Sequence, residues 1–349
     1  MLKSNIYYYL YFIYFYYNSN KMFFFFILFF STLISISANS WFGCWIGLEI
    51  NLISFIPIIS NSNNLFSSEA SLKYFLIQSI ASLNFLFSIM IKIILFKYFE
   101  FNYFLSIMIN LTLLMKMGST PFHFWFPNII EGLSWFNCFI LMTWQKISPM
   151  ILLSYYFNKN FLFLIMMLNT IIGAIGGLTQ TSLRKLMAFS SINNLGWLLM
   201  SLIISETLWM FYLLMYSFLV SIMCFLFNLL NIYYINQLFI MNFNPMIKIS
   251  LLINFLSLGG LPPFIGFLPK WIVINFLINN KIFLLTFIFI MMSLIMLFFY
   301  IRIIYSSFIF NYLKLKWLKI FIKNNFIIYI NFFNFISLMG LIFNIFFFF

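Results

Sequence analysis

The fold class that this chain predicts is all-α and polytopic, with about eleven membrane spans. Three observations predict it. The 349 residues are 65% hydrophobic and only 7% charged, with a mean hydropathy of +1.08, which is more apolar than a soluble core requires. Apolar runs long enough to span a bilayer fill the chain, parted by short loops such as Asn61-Ser-Asn-Asn64. Two of these runs are interrupted by proline and glycine in corresponding positions, the mark of inverted-repeat transporters with discontinuous helices.

The elements follow in order. Met1 to Ser19 holds an aromatic run, Ile6-Tyr-Tyr-Tyr-Leu-Tyr-Phe-Ile-Tyr14, which is too short to span. Tyrosine favours the headgroup level, so the segment reads as interfacial. It lacks the Arg- and Ser-rich amphipathic pattern of an import peptide. Spans are then expected at 22–38, 41–60, 70–95, 101–125, 134–157, 160–178, 185–204, 207–235, 246–278, 281–308 and 326–348. Glu69, Glu100 and Glu206 are placed in the loops between them, and Glu131 at a membrane edge.

The net charge of +13 is spread between apolar runs, not massed on one polar face, which argues against a nucleic-acid partner. Counted by side, Lys3, Lys21, Lys73, Arg184, Lys185, Lys248, Arg302 and the Lys314–Lys323 cluster share the face of the N-terminus. Lys92, Lys97, Lys159 and Lys281 lie opposite. The excess marks the N-terminal side as the cytoplasm-like face, with the C-terminus across the membrane. Cys44, Cys138 and Cys224 form no CxxC pattern, and His123 is the only histidine. Iron–sulfur ligation, a bis-histidine haem and a disulfide framework are thereby excluded. Gly173-Ala-Ile-Gly176-Gly177 lacks the spacing of a dinucleotide fingerprint. No cofactor or metal is expected on this chain.

The chemistry concentrates in Glu49, Lys116, Lys146 and Lys270, each inside an apolar stretch, in a chain with five acidic residues and no aspartate. A charge at mid-bilayer costs about 3 kcal/mol or more, so each is a functional candidate. The first interruption reads Lys116-Met-Gly118-Ser-Thr-Pro121-Phe-His123-Phe-Trp-Phe-Pro127. The second reads Leu258-Gly-Gly260-Leu-Pro262-Pro263-Phe-Ile-Gly266-Phe-Leu-Pro269-Lys270. Proline frees backbone groups, which membrane depth tolerates only inside protein or beside a water-filled cavity. Each candidate also has a blander reading. Glu49 could end a helix, the lysines could snorkel to the interface, and His123 could be a packed, hydrogen-bonded ring instead of a proton shuttle. Together they form a lysine relay with one carboxylate, Glu49, set beside Lys116. Burial and a nearby carboxylate push a lysine's protonation in opposite senses. A swing of about three pH units is about 4 kcal/mol, comparable with the roughly 4.6 kcal/mol needed to carry a charge against about 200 mV.

At these residues the chain resembles the chain 2 family of NADH–ubiquinone oxidoreductase, mitochondrially encoded membrane subunits of respiratory complex I. The matching motifs include Trp45-Ile-Gly-Leu-Glu49-Ile-Asn, both interruptions, Glu131-Gly-Leu-Ser-Trp135, Leu141-Met-Thr-Trp-Gln-Lys146-Ile-Ser-Pro149 and the run from Gly173 to Ile192. The resemblance implies an antiporter-like domain over 22–310, an N-terminal extension over 1–21, and a basic loop with a last helix over 311–349. It implies a proton-pumping subunit in the mitochondrial inner membrane, N-terminus in the matrix and C-terminus toward the intermembrane space. It further implies that Glu49 pairs with Lys116, that Lys146 and Lys270 continue the polar axis, and that NADH, FMN, iron–sulfur clusters and ubiquinone belong to other subunits. The partners implied are the other membrane-arm subunits, antiporter-like ones among them, and lipids. Asn128 and Asn194 stand where related sequences often have glutamate and histidine. Two other functions fit the residues less well. A free-standing cation/proton antiporter carrying sodium would want several oxygen ligands, and a structural spacer would not need the buried charges.

Overall fold

The computed structural model describes residues 19–61, 64–94, 101–240, 245–309 and 324–340. The interfacial segment expected at the start, Lys97, Glu100 and the Lys314–Lys323 cluster therefore lie outside the described residues. Those described are helical almost throughout, with an isolated bridge between Ser182 and Tyr234. The chain divides into two units, residues 1–137 with 144–158 and residues 138–143 with 159–349.

The first unit carries α1 (Ser19–Ser37), α2 (Trp41–Ile59), α3 (Leu65–Ile94), α4 (Phe101–Met117), α5 (Trp125–Gly132), the start of α6 (Trp135–Met142), a 3-10 turn at Trp144–Lys146 and α7 (Ile147–Tyr155). Ser40 begins α2 by accepting a bond from Gly43 N at 3.2 Å, relieving one of the amides a helix start leaves unpaired. Buried hydroxyls at Ser31, Ser35, Ser54 and Ser88 donate to carbonyls one turn back, at 2.7–2.9 Å. At membrane depth that local bond removes the penalty of an unmet polar group. α3 starts at Leu65, ahead of the expected 70, because the Asn64 carbonyl accepts from Ser67 and Ser68 N–H and opens the helix early. Glu69 is consequently not in a loop. It sits on the exposed face of α3, paired with Lys73 one turn on at 2.6 Å.

The second unit carries α8 (Lys159–Leu178), α9 (Leu183–Ile204), α10 (Glu206–Leu230), α11 (Ile235–Ile240), α12 (Pro245–Gly259), α13 (Phe267–Asn279), α14 (Phe283–Ile309) and α15 (Asn324–Leu338). Glu206 is the first residue of α10, not a loop residue; Ser205 caps that start by accepting from Leu208 N at 3.2 Å. A carboxylate is favoured at that end of the helix dipole. α9 is buried along most of its length whereas α14 is largely exposed, so α9 forms the unit's centre. The glycine run seen in the sequence serves that packing: a Cβ on Gly173 would lie 2.5 Å from Asn193 N of α9.

Among the described residues, eight helical stretches are long and apolar enough to cross a membrane. The two interrupted helices and α15 supply the others, in keeping with about eleven spans. In each unit the fourth span is the interrupted one. The interruptions, 118–124 and 260–266, are equal in length. Each opens on a glycine in the left-handed region, Gly118 at φ 71° and Gly260 at φ 82°, and each contains a cis X–Pro bond. A side chain rarely adopts that φ, so glycine ends both half-helices.

Candidate functional site

In the first unit the site grows from the end of α4. A helix leaves its last carbonyls without partners, and here most are met from elsewhere. The Leu114 carbonyl accepts from Ser119 N at 3.1 Å, and Met115 from Gly118 N at 3.2 Å and Trp125 Nε1 at 3.2 Å. The Lys116 carbonyl accepts from Gln78 Nε2 of α3 at 3.1 Å. Lys116 itself, on the last turn of α4, is 8% exposed. Its ammonium has no hydrogen-bond or ion-pair partner among the described residues.

Among the described residues, Glu49 is a charged group near enough to Lys116 for a Coulombic interaction. The two do not touch: Glu49 Oε1 is buried with no hydrogen-bond partner among the described residues, and the pair falls outside salt-bridge range. The two side chains expected to pair are therefore not in direct contact. In a low-dielectric interior a Coulombic interaction changes steeply with separation.

Two residues along α2, Asn51 Oδ1 accepts from Gln145 Nε2 at 2.9 Å. That bond ties the Glu49 helix to the 3-10 turn bearing Lys146. Lys146 is 2% exposed, and its Nζ lies over the Phe126 ring, 5.1 Å from the centroid. Phe126 also flanks Gly118, so one ring lies beside both the start of the first interruption and Lys146. His123 is buried inside the interruption with Nδ1 3.3 Å from the Pro121 carbonyl. A carbonyl only accepts, so Nδ1 carries the proton and Nε2 is the basic nitrogen.

In the second unit Lys270 is the fourth residue of α13 and reaches back across the interruption. Its Nζ donates to the Gly259 carbonyl at 3.0 Å and the Leu258 carbonyl at 3.4 Å, the free end of α12. The Trp197 ring lies 5.9 Å away. A cation at the negative end of a helix dipole is well placed. Gly260 makes the room: a Cβ there would sit 3.0 Å from Lys270 Nζ. Asn194, one turn before Trp197, accepts from Tyr212 Oη at 3.5 Å.

The structure places Glu49, Lys116, His123 and Lys146 in the first unit and Lys270 in the second. Sequence reading had passed over Gln78, Asn51 and Gln145. Each is an uncharged polar side chain in an apolar run, a signal that was there to find. Trp197, one aromatic among many, carried no such signal. Among the described residues no group of three or more His, Cys, Asp or Glu could hold a metal ion.

Residues 38–296 match the family described as NADH:quinone oxidoreductase/Mrp antiporter, TM. A protein of Anopheles gambiae named NADH-ubiquinone oxidoreductase chain 2 is 52% identical, covering 90% of this chain and 93% of its own. One of the same name from Aedes aegypti is 50% identical, covering 89% and 93%. A chain in the structure of respiratory complex I from Thermus thermophilus with bound aureothin superposes with a TM-score of 0.76. It covers 90% of this chain and 76% of its own at 18% identity, a likeness of fold.

Proposed function

From the premise that this chain belongs to the NADH–ubiquinone oxidoreductase chain 2 family, within the wider NADH:quinone oxidoreductase/Mrp antiporter family, we propose that Glu49, Lys116, Lys146 and Lys270 carry its proton path. The chain is a proton-translocating membrane subunit of respiratory complex I, and its partners are the other membrane-arm subunits. Quinone reduction in those subunits drives it, and NADH, FMN, iron–sulfur clusters and ubiquinone are bound there. The membrane is the mitochondrial inner membrane, with the N-terminus in the matrix and the C-terminus facing the intermembrane space. Residues 22–310 act as the antiporter-like domain.

The observation that carries the path is the unbridged Glu49–Lys116 pair. Closing the gap favours a charged Lys116, and opening it favours release of its proton. Lys146, over the Phe126 ring that flanks the same interruption, is the next station of the proposed path. His123 Nε2 is a candidate shuttle. Lys270, held by carbonyls and, among the described residues, by no carboxylate, serves as the second unit's station. A free-standing antiporter is not favoured, because relatives sharing half of its residues are named as complex I chains.

The test has two stages. Native electrophoresis of gently solubilised membranes should place this chain in a megadalton-scale band with NADH dehydrogenase activity; migration alone would sink the assignment. Within that band, Glu49→Gln or Lys116→Met should leave assembly normal and abolish proton pumping. Normal pumping in both would leave only the spacer role.

A further inference from the structure

The second interruption is gripped at both ends. Lys270 holds the carbonyls at its start. Its far end is held by α15, a helix that the sequence sets apart behind a basic loop. Pro262 and Pro263 offer no N–H, and Phe264, Phe267 and Leu268 bond locally to Leu261, Phe264 and Ile265 carbonyls. Ile265 N–H turns outward instead, to the Ser337 carbonyl at 3.0 Å. Ser337 lies in the last turn of α15, where a carbonyl is without a helical partner. A donor freed by the interruption thus meets an acceptor freed by a helix end, and at membrane depth each needs the other.

Two further contacts fix this seat. Asn334 Oδ1 accepts from Asn254 Nδ2 of α12 at 3.0 Å, both side chains being buried. Gly340 lies flat on the interruption: a Cβ there would stand 2.5 Å from Ile265 N and Phe264 C. No side chain fits without moving backbone.

We infer that α15 is a positioning element for Lys270: Asn334, the Ser337 carbonyl and Gly340 hold residues 260–266 so that the Leu258 and Gly259 carbonyls stay in reach of its ammonium. This rests on the reading of Lys270 as a proton station. The helix α15 is then part of the pump's positioning machinery.

The experiment is a double-variant cycle in the assembled complex, reading protons pumped per NADH oxidised. Gly340→Ala wedges α15 off the interruption, and Asn334→Ala removes its second hold. Each should lower the ratio by about fivefold, the scale of one lost buried hydrogen bond, while NADH oxidation per assembled complex falls less. Phe335→Leu, on the exposed face of the same helix, should leave the ratio unchanged. If α15 acts through Lys270, Gly340→Ala adds no further loss in a Lys270→Met background. Additive losses, a normal ratio in both single variants, or a loss that only tracks the amount of assembled complex would each overturn the inference. If Lys270→Met itself pumps normally, the relay reading of Lys270 falls, and this role with it. A lost ratio in Lys270→Met beside a normal one in Gly340→Ala overturns the positioning role alone.

Discussion

The two interruptions solve one backbone problem in opposite ways. Both open on a glycine of positive φ and leave carbonyls exposed at a half-helix end. In the first, neutral side chains take those carbonyls, Gln78 at Lys116 and Trp125 at Met115. The lysine on that helix end is left without a hydrogen bond among the described residues and answers to Glu49 across a gap. In the second, the lysine itself takes the carbonyls, from the far half-helix. The same device therefore yields a cation tuned by a distant carboxylate in one unit and a cation bound by backbone in the other. A poised group and a held group are what a path needs if one station is to respond to a moving charge and the other to wait for a proton.

The largest effect that can break this comparison comes from removing each ammonium. Lys116→Met and Lys270→Met should each cut proton pumping at least about tenfold, about 1.4 kcal/mol in the barrier. Their stabilities should separate. Lys270→Met leaves two buried carbonyls unmet and should destabilise its unit by about 1–3 kcal/mol. Lys116→Met deletes a buried charge that makes no hydrogen bond among the described residues and should be neutral or stabilising. Thermal melting of the assembled complex reads the difference; equal destabilisation would mean that Lys116 is held as Lys270 is.

Next come the glycines. Gly118→Ala and Gly260→Ala both force a side chain into the left-handed region, at about 1–2 kcal/mol each. Only Gly260→Ala also pushes a methyl to 3.0 Å from Lys270 Nζ, whereas the same change at Gly118 meets the Phe126 ring. Pumping per assembled complex should therefore fall several-fold further in Gly260→Ala, by about 1 kcal/mol more. Equal losses would reduce both glycines to turn formers.

A smaller effect should turn the first interruption into a likeness of the second. Gln78→Leu frees the Lys116 carbonyl at a cost of about 1–3 kcal/mol. The Lys116 ammonium makes no hydrogen bond among the described residues, so part of that loss should be recovered as the lysine binds its own helix end. Pumping should drop about threefold, and Glu49→Gln should then matter less than it does in the parent, because the lysine has found another partner. A Glu49→Gln effect of undiminished size would refute that exchange.

Much of this was legible in the sequence, and the limits are physical. The spans follow from hydropathy, the interruptions from Pro121, Pro127, Pro262, Pro263 and Pro269, and the proposed stations from the rarity of charge in apolar runs. Hydropathy does not encode the helix starts at Leu65 and Glu206, which the Asn64 carbonyl and the Ser205 side chain decide. Which groups meet which was not legible. Gln78 and Lys116 are 38 residues apart, and Asn254 and Asn334 are 80 apart; no local periodicity encodes such a pairing. Lys270 reads as a charge beside a proline, but that it faces backward onto the Gly259 carbonyl depends on how two half-helices are offset. The weight of α15 was hidden for the same reason: its contacts are a carbonyl and a missing Cβ, and neither is a motif.

The smallest effect concerns the rings beside Lys270 and Lys146. Trp197 lies 5.9 Å from Lys270 Nζ, near the limit at which a ring still attracts a cation, while Phe126 lies 5.1 Å from Lys146 Nζ. Trp197 Nε1 is also buried with no hydrogen-bond partner among the described residues. In Trp197→Phe a weak attraction is lost, and an unmet N–H is lost with it, so the two changes oppose each other. Pumping should change by less than about twofold. Phe126→Leu has no such compensation, since the ring also seats Gly118, and it should cost about two- to fivefold. If Trp197→Phe proves the costlier of the two, Lys270 depends on its aromatic neighbour more than on the helix end, and the contrast between a carbonyl-held and a carboxylate-tuned lysine no longer describes this protein.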